Sequence, residues 1–545
     1  MPLMGNVYIG TSGLQTSQNA LNTVAHNLSN SGTVGYTRQQ VLLADKRYNT
    51  ISKNPDKISN MQTGLGVDYA RVRQVRDYFL DKTYRKEIGR TAFYGESYST
   101  IEEVENLLGE LEGAAFQTSL DDFWQSVQEL AKDPSSSVTQ GLFIQRASQF
   151  VERASSVYDG LSTYQDNLNV KIQDSVNKIN KMGKDLYSLN NQIVAIEVGG
   201  TEKANDLRDQ RNLILDELGK YTNMSYSEDV FGGVSVLIEG HPFVKNESVS
   251  EIAININSDN GFYTPYWKID AKVIEGTNKL DISNAKVFDL TRTIATMNDT
   301  DVGELKAQLL ARGDKRANYT DLDAAGYDQE ISSSIIMNIQ AEFDHLIHSI
   351  ATSVNKVISD SADQATGYLT DDAGNPIQVF QKIAGDGYDA LGNYIAESAL
   401  PGQESTLYTL TNLTINPKLM QNSSLLGFVK SDGTVDFETA LKLQNVFSEK
   451  KYTLNPNITN QTNLIDFYAS MVSQIANAGS VFKGVYESQT TTVEATESAR
   501  QQVVGVSDDE ELSNMIKYQN AYNASSRYIN VIDELLEHII NTLGV

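Results

Sequence analysis

The chain has 545 residues, with 44 lysines and arginines against 70 aspartates and glutamates, a formal charge of −26 and no cysteine. That length allows about three or four domains with substantial cores. The acidity argues against a phosphate-binding surface for nucleic acid and against anionic membranes, and the missing cysteines exclude disulfides, thiolate metal sites and cysteine nucleophiles.

From Met1 to Thr37 there is no Asp, Glu, Lys or Arg. Leu14, Leu21 and Leu28 recur every seventh residue among Asn, Gln, Ser, Thr and Gly. A lone surface helix carries charge on its solvent face, so an uncharged one suits packing among neighbouring protein chains. The opening MPLMGNVYIGTSG lacks the basic and apolar regions of a cleaved signal peptide, and no run reaches the ~18 apolar residues of a membrane-spanning helix. The protein is expected to be cytoplasmic or exported without a cleaved signal.

Asn30, Gly32 and Gly35 stop the first helix, and residues 36–75 read as extended and loop-like. Helical periodicity runs over 77–219. Its longest row, from Leu161 through Ile172, Ile179 and Leu186 to Ile196, predicts a helix too long for a compact globule, ended by Gly199-Gly200. A helix over 202–220 returns from there. Ile252, Ile254 and Ile256 alternate with polar residues, as do Trp267, Ile269, Ala271 and Val273, predicting antiparallel strands. Helices follow at 303–311 and 329–360, then a turn-rich stretch over 361–430, then helices at 434–448 and 459–500.

The last helix carries Met515, Tyr518, Tyr522, Ser525, Ile529, Ile532, Leu536, Ile539 and Leu543 at alternating steps of three and four, a coiled-coil seam. Ser507 and Glu510 form an S-x-x-E capping box at its start, with Asp508, Asp509 and Glu511 on the positive end of the dipole. At ~1.5 Å per residue it spans roughly 55 Å and needs a second long helix, for which the uncharged N-terminus is the candidate.

The expected fold is mainly α with inserted β, an α+β multidomain chain with terminal coiled-coil helices, a long-helix bundle core and an outer antiparallel β domain. The segments are 1–60, an N-terminal helix and loop paired with 503–545; 61–221, 303–360 and 431–502, the long-helix parts; 222–302, the β-rich outer insertion; and 361–430, a mixed insertion.

No constellation of reactive groups marks an enzyme. His345 and His348 share a helix beside Asp344 without a third metal ligand, and Gly64 and Gly66 lack the context of a dinucleotide site. No catalytic, metal or cofactor site is expected. Arg71, Arg73 and Arg76, with Arg85, Lys86 and Arg90 beyond, read as an ion-pair surface between helices or subunits. Tyr263, Tyr266 and Trp267 could form a carbohydrate site, although strand packing fits them better.

Both ends resemble the flagellar rod, hook and hook-associated axial proteins. The matching residues are Ser12-Gly13-Leu14, Ala20-Leu21, Asn27-Leu28-Ser29-Asn30 and Thr33-Val34-Gly35-Tyr36. The continuation Thr37-Arg38-Gln39 is similar to the hook-associated members rather than to rod or hook proteins. At the other end the match runs through Gly505-Val506-Ser507, Asp509-Glu510-Glu511, Asn514, Tyr518-Gln519, Ala521-Tyr522, Ala524-Ser525 and Arg527. Between them, Asn205-Asp206-Leu207, Asp209 and Arg211 resemble the N-D-L-x-D-x-R-D segment of hook-associated members, with Asn212 where a second Asp is usual.

The resemblance implies a structural protein of the hook–filament junction, exported by the flagellar type III apparatus and located outside the cell. It implies self-assembly of about eleven subunits in a ring or helix. It also implies contact with hook protein and hook-associated protein 3, and an export chaperone on the C-terminal helix. The rivals are another axial protein, either hook or rod, or a secreted carbohydrate-binding protein on axial-type ends.

Overall fold

The computed structural model describes residues 2–46, 48–53, 60–109, 115–200, 202–274, 276, 280–322 and 326–543. The chain opens with α1 (Pro2–Ser29), followed by β1 (Gln39–Asp45), β2 (Asn49–Lys53), β3 (Asn60–Thr63) and β4 (Val67–Gln74). Four helices come next: α2 (Tyr78–Leu108), α3 (Phe116–Lys132), α4 (Ser137–Glu197) and α5 (Asn205–Tyr221). The strands β5 (Met224–Glu228), β6 (Val234–Ile238), β7 (His241–Val244), β8 (Ile252–Ile256), β9 (Tyr263–Trp267), β10 (Lys272–Val273) and β11 (Leu280–Asp281) lead to α6 (Glu304–Arg312), α7 (Tyr327–Glu330) and α8 (Ile335–Ser361). The last elements are β12 (Phe380–Lys382), β13 (Leu413–Ile415), α9 (Pro417–Gln421), α10 (Phe437–Ser448), α11 (Leu464–Val504) and α12 (Asp508–Leu543). The fold is mainly α with small antiparallel sheets inserted, as expected.

The chain forms two compact units. One comprises residues 1–90, 178–251 and 489–545. In it α1 packs along α12, the ribbon of β1 paired with β4 lies beside α1, and β2 pairs with β3 between them in sequence. The ladder of β1 and β4 is antiparallel, with a shift at Leu42/Leu43. The order β5-β6-β7 makes a second antiparallel sheet whose Val236, Ile238 and Phe243 are buried. Gly183 of α4 leaves no room for a Cβ against the Phe243 ring, so that ring packs directly on the helix backbone.

The other unit comprises 91–177 and 252–488. Its core is aromatic. Phe116 stands 4.8 Å from Phe343 and 4.9 Å from Tyr468, while Phe123 stacks on Phe143 and Phe150. α10 packs on α3 and α8. α6 is buried even at Lys306, Gln308 and Arg312; Gln308 accepts from Ser175 at 3.0 Å and Arg312 donates to the Tyr263 carbonyl at 3.0 Å.

Three sequence expectations are corrected. The strand expected over Trp267–Val273 is displaced: Trp267 ends β9, residues 268–271 are a turn region, and Ile269 is exposed. The strand that pairs with Ile252–Ile256 is instead Tyr263–Trp267, with Pro265 opposite Ile254. The helix expected from 329 starts at Ile335, because the Ser334 hydroxyl accepts from the Met337 N–H and caps it there. The Ser507 cap is one-sided: its hydroxyl accepts from the Glu510 N–H at 3.5 Å, while the Glu510 carboxylate turns to Arg38 at 2.7 Å.

Candidate functional site

Short side chains let α1 and α12 approach closely. The buried line of α1 is Ser12, Thr16, Ser17, Ala20, Val24 and Asn27, with Leu14, Leu21 and Leu28 half-buried beside it. A Cβ on Gly10 would stand 2.5 Å from Ile529 Cγ1, and one on Gly13 would stand 2.6 Å from Ser525 Oγ. On α12, Met515, Tyr518, Tyr522, Ser525, Ile529 and Leu536 are half-buried and Ile532 is 2% exposed. Ile539 is exposed at 37%, and the Leu543 side chain lies outside the described residues. Tyr528, Val531 and Leu535 form an exposed apolar strip on the same half of the helix, and Ile540 is exposed on another face.

At the other end of this pair, residues 35–39 are clasped from several sides. Asn27 donates to the Gln39 carbonyl at 2.9 Å and accepts from the Gln39 N–H at 3.0 Å and from the Tyr36 hydroxyl at 2.7 Å. Tyr36 also lies 2.9 Å from His26 Nδ1. Gly35 has φ +79°, and a Cβ there would collide with Leu213. Asp209 of α5 accepts from the Thr37 N–H at 3.2 Å and from Gln74 at 2.7 Å. Asn205 donates to the Gln39 side chain at 3.2 Å, and Asp206 accepts from it at 3.4 Å. Arg38 closes the ring: its N–H donates to the Val504 carbonyl at 2.8 Å, and its guanidinium pairs with Glu510 at 2.7 Å and Glu511 at 2.9 Å. One five-residue stretch therefore ties α1, α5, β4, the end of α11 and the start of α12.

The clasp is electrostatically poised. Burial, outweighing the bonds from Thr37 and the charge of Arg76, pushes the Asp209 carboxyl up to about 6. Burial also raises the Tyr36 hydroxyl. Beside it, burial would raise Glu197, but hydrogen bonds from Arg208, Lys203 and the Ala204 N–H hold it down at about 2.

The other motif residues do separate work. Ser12 donates to the Ile9 carbonyl at 2.8 Å and accepts from the Val67 N–H at 3.3 Å, fastening the ribbon to α1. Asn30 accepts from the Thr33 hydroxyl at 3.2 Å in the turn after α1. Arg211 is buried against Glu228 at 3.1 Å and the Gly232 carbonyl at 2.5 Å, and burial lowers it to about 10. Gln519 and Arg527 are exposed and have no partner among the described residues.

Sequence reasoning missed the ion network beneath the clasp. Asp216 bridges Arg85 at 2.7 Å and Arg500 at 2.8 Å, and Arg76 pairs with Asp81 at 2.8 Å. Arg500 lies 4.2 Å over the Tyr84 ring. Arg76 and Arg85 stood out as a basic stretch, but their distant acidic partners carry no local signal. Outside this unit, His348 stacks on Tyr319 at 3.7 Å and pairs with Glu397 at 3.0 Å. Tyr266 and Trp267 are buried, so they offer a sugar no stacking face.

The site is an interaction surface: a close-packed helix pair, locked at one end and apolar at the other. Three family models match the chain. The flagellar hook-associated protein FlgK helical domain matches residues 101–372, the flagellar basal body rod FlgEFG protein C-terminal segment matches 500–542, and the flagella basal body rod protein matches 7–37. Flagellar hook-associated protein 1 of Bacillus subtilis is 26% identical over 98% of this chain and 97% of its own. The proteins of that name in Salmonella typhimurium and Escherichia coli are 24% and 23% identical, each over 97% of this chain and 98% of its own. A solved structure, that of the flagellar hook junction protein FlgK from Burkholderia pseudomallei, has a TM-score of 0.53 at 15% identity, covering 77% of this chain and all of that one, and shares the fold. These relatives are structural proteins rather than enzymes, and the chain belongs to the flagellar hook-associated protein 1 family, a structural component of the bacterial flagellum.

Proposed function

We propose that the chain forms the hook–filament junction by polymerising through its paired terminal helices. It leaves the cell through the flagellar type III apparatus without a cleaved signal. Hook protein lies on one side and hook-associated protein 3 on the other, in a ring or helix of about eleven subunits. Before assembly an export chaperone covers α12. The observation that carries this reading is the helix pair itself. α1 brings no charged side chain to it, and the apolar strip of Tyr528, Val531 and Leu535 is left uncovered. A strip of that kind marks an interaction site.

Electron microscopy of cells lacking the protein, with a gel of their medium, tests the placement. Hooks without filaments and flagellin lost to the medium are expected; missing hooks would move the protein to the rod or hook. Ile529→Asp places a carboxylate against Gly10 of α1. It is expected to leave the circular dichroism of the central helices unchanged and to abolish filament attachment; normal filaments on that variant would remove the seam from the assembly.

A further inference from the structure

The cleft between β4 and α5 has a volume of about 380 Å³ and concentrates positive charge in a chain of formal charge −26. Arg71 and Arg73 stand at its rim, Arg76, Arg208 and Arg211 deeper, with only Asp81 and Glu228 as lining carboxylates. The deep cations are matched: Arg76 to Asp81, Arg208 to Glu197 and Glu228, Arg211 to Glu228. The rim is not. Arg73 reaches only the neutral Gln40 side chain at 3.2 Å, and Arg71 has no partner among the described residues. Two residues apart on one strand, they share a face at a separation of about 7 Å.

The complementary charge stands on α12. Asp533, Glu534 and Glu537 are exposed and have no cation partner among the described residues. Asp533 and Glu537 are four residues apart, one above the other on one helix face at about 6 Å, which matches the spacing of the two guanidiniums. Within one copy the two surfaces are far apart. Ile529 packs on Gly10, so the acidic ridge lies about one turn further toward the start of α1. β4 runs the other way along α1, from the Val67–Ser12 bond toward the Asn27 clasp, where Gln74 meets Asp209. Arg71 and Arg73 are thus on the order of 20 Å along the helix from the ridge.

We propose that the Arg71–Arg73 rim receives the Asp533–Glu537 ridge of a second copy of this chain. The inference rests on the reading that copies assemble, and it names the surfaces. Because the two patches differ, the contact can repeat head-to-tail into a ring or helical tube, whereas reciprocal pairing of two copies would stop at a dimer. Opposed charges across it fix register and reject misaligned neighbours.

The chain has no cysteine, which makes a disulfide trap clean. Arg73→Cys with Glu537→Cys, expressed in cells lacking the native copy, is expected to give a ladder of dimers and larger species from oxidised, isolated flagella, while either cysteine alone gives no ladder. A charge swap tests the same contact without a crosslink. Arg71→Glu/Arg73→Glu and Asp533→Arg/Glu537→Arg are each expected to lower filament-bearing cells about tenfold, and their combination to restore them. Monomers only from flagella that contain the chain, or no recovery in the combined swap, would overturn the cleft contact and leave the junction reading standing. Absence of the unaltered chain from isolated flagella would overturn the junction reading and this inference with it.

Discussion

Gly66 sets how close the β1–β4 ribbon can lie to α1. Its φ is +98°, and a Cβ there would collide with Ser12 Oγ and stand 3.1 Å from Ile9 Cα. Gly66→Ala therefore meets both backbone strain and a steric wall, an expected cost of about 1–3 kcal/mol in denaturant unfolding. Adding Ser12→Ala should recover only part of it, since the Ile9 contact is backbone; full recovery would mean that the hydroxyl alone was the obstacle. Asn27 shows what the sequence left unread at this level. Its place in a motif was visible, but its use of both amide ends to hold Gln39 across a turn has no local pattern. Gly10 passed unnoticed for the same reason: what makes it necessary is Ile529, more than five hundred positions along the chain.

Helix α8 carries two acids away from water. Glu342 accepts from Asn455 at 2.7 Å, Gln474 at 3.1 Å and Asn338 at 3.2 Å, with no cation among these partners, and burial pushes it up to about 7. Asp344 accepts from the N–H groups of Leu410 and Tyr319, and burial pushes it up to about 6. Glu342 holds its proton in the native state up to about 7, whereas the unfolded chain loses it near 4.5. Its contribution is therefore full below about pH 4.5 and is lost as pH rises toward 7. Melting of the unit containing α8 should shift down between pH 5 and pH 8. Glu342→Gln should shrink that shift and gain on the unaltered chain at pH 8, with a residual slope below pH 6 from Asp344; an unchanged slope would clear Glu342. The helix itself was legible, because its apolar row repeats every three or four residues. Its start was not, since Ile331 continues the row and is buried while the cap lies three residues later, at Ser334. Periodicity reports which face is buried, and a cap reports where the backbone turns, so the two need not coincide. The strand pattern at 267–273 failed in the same way, because alternation without pairing is only composition.

The two ends of the chain depend on each other far more than on apolar packing of their own. The aromatic core of the unit formed by 91–177 and 252–488 contains no residue of α1 or α12. The buried line of α1 is made of hydroxyls, an amide, Ala20 and Val24, which gives little apolar area to bury, and an isolated helix of such composition is marginal in water. What orders it is α12 along one face and the clasp at one end, and Arg38 joins these through Glu510 and Glu511. A chain ending at Ser507 loses α12 and the Arg38 ion pairs with Glu510 and Glu511, and keeps the clasp contacts from Asn27, Asp209 and Val504. Hydrogen exchange on that chain is expected to show α1 unprotected within seconds, while 91–177 and 252–488 keep their slow amides and melt within about two degrees of the full chain, since sites without shared partners act independently. Retained protection of α1 would mean that the ribbon and the remaining clasp contacts hold it without α12. In that case α12 would be free to leave α1 and pair with a neighbouring copy, and the assembly contact would be an exchange of helices instead of an addition to a finished pair.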